Sequence, residues 1–271
     1  MSETKSLKLE VTADGAGVIT MNRPDVHNAF DDQLIKDLIR ALEKMEQHDK
    51  VRVLVLKAEG KSFSAGADLN WMRRMADYSW SENYQDSLAL ASLMQKLYQF
   101  KKPTIGLIQG AAFGGGVGLV ACCDIAIASD QAKFCLSEVK LGLIPAVISP
   151  YVIAAMGKRQ ANRYFITAER FDAETAARIG LVQQCVPADN FESYCDEVIK
   201  TTLQNGPEAI QAAKNLISFI DENTYGEEMI RETAQKISDI RASKEGKEGV
   251  SAFLEKRTPN WIAATKTQQE Q

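Results

Sequence analysis

The sequence predicts an α/β layered core followed by an all-helical C-terminal region. Three observations carry this reading. Residues 51–56 form a run dominated by β-branched residues and leucine, the mark of a strand buried on both faces. Further buried strands, at 104–108 and 124–128, alternate with helical stretches at 83–100 and 115–123, the βαβ pattern of an α/β core. After Pro187 only helical periodicity remains.

The elements follow in order. Residues 6–21 read as two short strands around the turn Ala13-Asp14-Gly15, and Asn22-Arg23-Pro24 ends the second. Residues 31–47 read as a helix, because Leu34, Ile35, Leu38, Ile39, Leu42 and Met45 recur at helical spacing with charges opposite. Pro103 leads into the strand at 104–108. Helices are expected over 191–204, 207–220, 226–243 and 246–257, with Ala209, Ile210, Ala213, Leu216 and Ile217 on one apolar face. The division therefore falls near 190, with a core over 1–190 and a helical region over 191–271. The polar tail after Trp261 is expected to fray.

The chain has 271 residues and a net charge of −4, with its basic residues scattered. That balance argues against a nucleic-acid partner, which selects a basic face. Five cysteines without a CxxC pair argue against both a disulfide framework and a zinc site; Cys122 and Cys123 read as buried thiols. No metal and no separate cofactor are expected. The N-terminal MSETKSLKLE lacks the features of a signal or transit peptide, and no apolar run is long enough to span a bilayer. A cytoplasmic location without a membrane partner is the resulting expectation.

Two turns carry the chemistry. The first, Ser64-Ala65-Gly66-Ala67-Asp68, follows the strand at 51–56 and precedes a helical stretch that Asp68 is placed to cap. The second, Phe113-Gly114-Gly115-Gly116, follows the next buried strand and opens a helix. Small residues bare the backbone, and N–H groups at a helix start have no partner within the helix. Two such turns at equivalent strand ends can each aim one N–H at a single oxygen, which is an oxyanion hole. One glycine cluster alone would imply only a tight turn.

With Asn22-Arg23-Pro24, Cys123-Asp124-Ile125-Ala126, Glu138, Leu141-Gly142-Leu143-Ile144-Pro145 and Phe253-Leu254-Glu255-Lys256-Arg257, these turns resemble the crotonase superfamily of enoyl-CoA hydratases and isomerases. The motifs run in order over nearly the whole chain. Ala67-Asp68-Leu69-Asn70-Trp71-Met72 and Pro145-Ala146-Val147-Ile148-Ser149-Pro150 look most like hydratases of methylglutaconyl-CoA or carboxygeranoyl-CoA. The resemblance implies a spiral of ββα units. It also implies a C-terminal helical region that packs into a homotrimer or a dimer of trimers. The expected ligand is a small-molecule acyl-CoA, whose coenzyme A is part of the substrate. Oxyanion N–H groups fall on Ala67 and Gly115. Substrate contacts are implied for Val26, Lys61, Ala65, Asp68, Leu69, Trp71, Met72, Gly118, Pro145 and Lys256.

Many hydratases of this family use two glutamates. The second matches Glu138, which lies among Phe134, Cys135, Leu136, Val139, Leu141 and Leu143. A carboxyl buried there would hold its proton to higher pH, as proton transfer near neutrality requires. The first glutamate is matched by Gly118, so one carboxylate remains and leaves a gap that water or a distal substrate carboxylate could use. Hydration of a branched or carboxylated enoyl-CoA is the leading expectation. Double-bond isomerisation by Glu138 alone is the alternative, and a non-catalytic acyl-CoA-binding relative is a third. Arg73 or Arg74 could meet a distal carboxylate. His27, Ser149 and Tyr151 are peripheral candidates; His48 reads as solvated.

Overall fold

A computed structural model describes residues 5–262. The N-terminal residues 1–4 and the tail from 263, which includes most of the segment expected to fray, lie outside the described residues. The chain opens with β1 (Leu7–Val11) and β2 (Ala16–Met21), paired antiparallel. Then comes α1 (Asp32–Gln47), capped by Asp31, whose side chain accepts from the Leu34 N–H at 2.7 Å. It buries Leu34, Ile35, Leu38, Leu42 and Met45 of the predicted stripe, leaves Ile39 half-buried and adds Ala41.

Three similar turns of chain follow. In the first, β3 (Val53–Ala58) and β4 (Ser62–Ser64) lead to α2 (Leu69–Met75) and α3 (Trp80–Tyr98). In the second, β5 (Thr104–Ile108) and β6 (Ala111–Phe113) lead to α4 (Gly115–Cys122). In the third, β7 (Ile125–Ser129) and β8 (Lys133–Cys135) lead, through a 3₁₀ turn over Glu138–Leu141, to α5 (Ser149–Thr167). The first strand of each turn joins a large sheet and the second joins a small one. With β9 (Phe171–Asp172), α6 (Ala173–Arg178) and β10 (Gln184–Val186), the orders are β1-β2-β3-β5-β7-β10 and β4-β6-β8-β9. This is the expected α/β spiral of ββα units.

The large sheet is parallel from β2 to β10 and is covered on both faces, which explains its unbroken apolar strands. Along β3, Leu54 and Leu56 enter the main core with α1, α3 and α4, while Val53 and Val55 face a second core. That second core is closed by α7 (Phe191–Gln204) through Phe191, Tyr194, Cys195, Val198, Ile199 and Leu203. The last helices are α8 (Pro207–Glu222), α9 (Glu227–Ala242) and α10 (Lys244–Leu254). Arg52 ties this region to the sheet: its Nη2 donates to the carbonyls of Leu203 and Asn205 at 2.7 and 2.8 Å. All five cysteines are free thiols and all but Cys185 are buried. Burial pushes the Cys123 thiol up to about 12.

Sequence reading placed no helix over α5. Pro150 stands in its first turn, where its missing N–H costs nothing, and Gly157 at φ 75° interrupts the helical geometry. Among the described residues no helix is long and apolar enough to cross a membrane.

Candidate active site

The small sheet brings the two turns and the glutamate together. β4, β6 and β8 are adjacent and parallel, with Ser64 opposite Ala112 and Phe113 opposite Cys135. Chain leaving these strands therefore emerges at one edge: Ala67 from β4, Gly115 from β6 and Glu138 from β8.

Ala67 is oriented by Phe30. The Phe30 N–H donates to the Gly66 carbonyl at 2.7 Å, and the Phe30 carbonyl accepts from the Asp68 N–H at 2.8 Å. These bonds make a parallel bridge between Phe30 and Ala67. In such a bridge the residue lying between the two bonded neighbours turns its own N–H the other way. Ala67 is exposed, and its donor is turned away from Phe30.

Gly115 is the first residue of α4, and the helix's own bonds begin later: the Gly114 carbonyl accepts from Val117 N–H at 2.9 Å and Gly118 N–H at 3.3 Å. The Gly115 N–H is thus one of the helix-start donors, reinforced by the positive end of the helix dipole. Gly114 holds φ 50° and ψ −118°, and its N–H donates to the Cys135 carbonyl at 2.9 Å, which stitches the turn to β8. A Cβ on Gly116 would lie 2.6 Å from the Ser64 carbonyl oxygen, so glycine is what lets α4 start against β4.

Glu138 begins the 3₁₀ turn after β8. A Cβ on Gly114 would fall 3.2 Å from its Oε1, which places the carboxyl directly over the second turn. Its Oε2 is buried with no hydrogen-bond partner among the described residues. Desolvation raises the Glu138 pKa above the usual glutamate value, as its apolar neighbours predict.

Gly118 corrects the expectation of a gap. It is buried in α4, and a Cβ there would lie 3.0 Å from the Ile148 Cβ, closer still to its Cγ2, and 3.2 Å from the Met94 Cε. The space where the Cβ of a first glutamate would stand is taken by Ile148 and Met94. Sequence reasoning had no signal for this contact, because Ile148 lies in a different turn of the spiral. The same holds for Phe30, which orients Ala67.

Of the remaining candidates, Asp68 is the predicted cap of α2: its Oδ1 accepts from Asn70 and Trp71 N–H at 2.8 and 3.3 Å. Its Oδ2 pairs with Arg23 at 3.3 Å, and Arg23 also holds Asp31 at 2.8 Å. Trp71 is buried and donates its Nε1–H to Asp86 at 3.3 Å; Met72 is half-buried beside it. Leu69 and Val26 are exposed, and the half-buried Ala65 donates its N–H to the His27 carbonyl at 3.0 Å. His27 Nδ1 lies 3.1 Å from Ser62 Oγ, so this histidine belongs to the first turn, whereas His48 accepts from the Lys50 N–H at the end of α1. Lys61 is exposed at the opposite end of β4 from Ala67, and Lys256 is exposed after α10. Pro145 is buried ahead of Ile148. Ser149 donates to the Ala146 carbonyl at 2.8 Å, and Tyr151 packs on Tyr98 with ring centroids 5.0 Å apart. Arg74 pairs with Asp32 at 2.6 Å, while Arg73 donates to the neutral Asn70 side chain at 2.8 Å.

Two backbone donors at one edge can hold a developing oxyanion, and a carboxyl with a raised pKa beside them can move a proton on the adjoining carbon. Known proteins are similar to this chain over nearly all of its length. The enoyl-CoA hydratase/isomerase family model matches residues 12–264. A solved enoyl-CoA hydratase from Shewanella pealeana is 46% identical, covers 94% of this chain and 96% of its own, and superposes with a TM-score of 0.90. A Legionella pneumophila structure assigned to the enoyl-CoA hydratase/isomerase (crotonase) class is 50% identical over 94% of this chain and 98% of its own, also with a TM-score of 0.90. The 2,3-dehydroadipyl-CoA hydratase of Escherichia coli is 31% identical over 90% of this chain and 94% of its own. The fold, the two turns and these likenesses agree: the chain belongs to the enoyl-CoA hydratase/isomerase family.

Proposed function

We propose that this protein hydrates the C2=C3 bond of an enoyl-CoA, preferentially one with a branched or carboxylated acyl chain, using Glu138 as its one catalytic carboxylate. The observation that carries this reading is the Glu138 carboxyl over the Gly114-Gly115 turn, its Oε2 buried without a hydrogen-bond partner among the described residues, at the sheet edge where the Ala67 N–H turns away from Phe30. The thioester oxygen accepts from Ala67 and Gly115. Ionised Glu138 takes a proton from water, whose oxygen bonds to C3. The C2=C3 electron pair moves into the thioester as an enolate, with its oxyanion held by the two donors. Glu138 then returns the proton to C2 on the same face, and the sum is addition of one water.

The carboxylated substrate draws support from the E. coli relative's dehydroadipyl substrate and from Arg73, for which the described residues provide no carboxylate partner. A second reading is favoured by the packed wall at Gly118. With one titratable group, Glu138 can also take a proton from C2 of a 3-enoyl-CoA and deliver it to C4, shifting the double bond. Assembly as a homotrimer or dimer of trimers is part of the proposal.

Incubation with 3-methylglutaconyl-CoA, crotonyl-CoA and a 3-enoyl-CoA, followed by mass, separates the readings. A gain of one water marks hydration, and an unchanged mass with a moved double bond marks isomerisation. Glu138→Gln is expected to lower kcat by about 10²–10⁴-fold, the usual contribution of a positioned acid–base group. Full activity in that variant would remove Glu138 from the mechanism.

A further inference from the structure

The direction of each α4 side chain locates the walls of the site. With about 100° per residue, position 118 lies about 60° around the axis of α4 from position 115. A Cβ at 114 would meet Glu138, and one at 115 would meet the Phe30 ring at 3.1 Å. Position 118 therefore faces within about 60° of the side that meets Phe30, whose bridge orients Ala67. What stands there is Ile148, 2% exposed, backed by Met94. Met94 Sδ in turn lies 3.9 Å from Cys122 Sγ, one further turn along α4. Ile148 is itself held in place: it precedes α5, its carbonyl accepts from the Val152 N–H at 3.1 Å, and Pro150 stiffens the first turn.

Gly118 lies about 4.5 Å along the helix axis from Gly115, at 1.5 Å per residue. With the thioester oxygen on the Gly115 N–H, this is the distance a short acyl chain covers from its carbonyl to C3 and C4. We propose that Ile148 is a specificity-determining residue: its side chain fills the space over Gly118 and closes the acyl pocket one helical turn beyond the oxyanion donors. The proposal rests on reading the site as an acyl-CoA pocket. It assigns the pocket's depth to one apolar side chain. Truncating that side chain opens a path toward Met94 and Cys122 for longer acyl groups.

The test compares kcat/KM for trans-2-butenoyl-CoA and trans-2-octenoyl-CoA in the wild type, Ile148→Val and Ile148→Ala. The octenoyl-to-butenoyl ratio is expected to rise about tenfold in Ile148→Ala, within the discrimination that hydrophobic pockets achieve. Ile148→Val, which removes one methyl group and keeps the fold, is expected to shift the ratio less and in the same direction. A merely structural role would lower both substrates equally. An unchanged ratio, or an equal fall on both, in these variants would overturn the proposal. Should the wild type turn over neither substrate, the hydratase reading fails alone. The ratio is then read from calorimetric binding of butanoyl-CoA and octanoyl-CoA, with the same two outcomes.

Discussion

At Glu138 the carboxyl loses water and its buried Oε2 gains no partner among the described residues, a cost that appears only when the group is ionised. Its pKa in the folded chain lies above the ordinary 4.5 because of desolvation. The unfolded chain therefore releases this proton first, and folding loses stability as pH rises from 4.5 through the folded value. Below 4.5 both states are protonated and the penalty vanishes. Glu138→Gln should consequently unfold at a higher temperature than the wild type at pH 8, with the gap closing at pH 4; a pH series of melting curves checks this. An equal gap at both pH values would mean that ionisation of Glu138 is not penalised. The burial was legible beforehand, because Phe134, Cys135 and Leu136 lead straight into the glutamate. The wall beside it was not. Nothing in the vicinity of Gly118 announces a contact with Ile148, which the chain reaches only after another strand pair.

At the scale of elements, the site depends on how closely α4 approaches β4. Gly116→Ala sets a Cβ against the Ser64 carbonyl, a backbone atom with no side-chain freedom to yield. The expected loss is about 1–3 kcal/mol of stability, the usual range for overpacking. Because the same shift moves the Gly115 N–H, kcat should fall even where the fold survives. Denaturant melts and turnover of crotonyl-CoA measure the two effects, and an unperturbed enzyme would refute the packing argument. The strands β3, β5 and β7 of the large sheet were readable from sequence because they run five or six residues between two covered faces, whereas β10, three residues long, went unread. The strands that carry the site are three residues each, too short for any alternation to register. What betrayed them was the chemistry of the turns they deliver: small residues and glycines grouped after two successive strands. α5 escaped notice for the opposite reason, since Pro150 and Gly157 break a long helix into pieces that look like loop.

For the whole molecule, the C-terminal helices leave more apolar surface bare than one chain can use. No residue of α8 is buried, and Ile217 in α8, Ile230 in α9 and Phe253 in α10 are 72%, 68% and 82% exposed. Exposed apolar surface, where it is contiguous, marks an interaction surface. In the proposed trimer it would be covered by further copies of the chain. Sedimentation equilibrium should therefore give three or six times the mass of one chain, and the double variant Ile217→Asp/Phe253→Asp should lower it. A monomeric wild type would refute the assembly. The alternation of the chain between two sheets has a bearing on synthesis as well. Each turn of the spiral contributes one piece of the proposed site, and the pieces arrive in the order Ala67, Gly115, Glu138. A nascent chain released before the third turn can lay down β3 against β5 and β4 against β6, yet it carries two donors and no acid. In the proposed mechanism, competence for chemistry thus waits on the third turn, built through parallel pairings between strands far apart in sequence, the kind of contact that forms slowly.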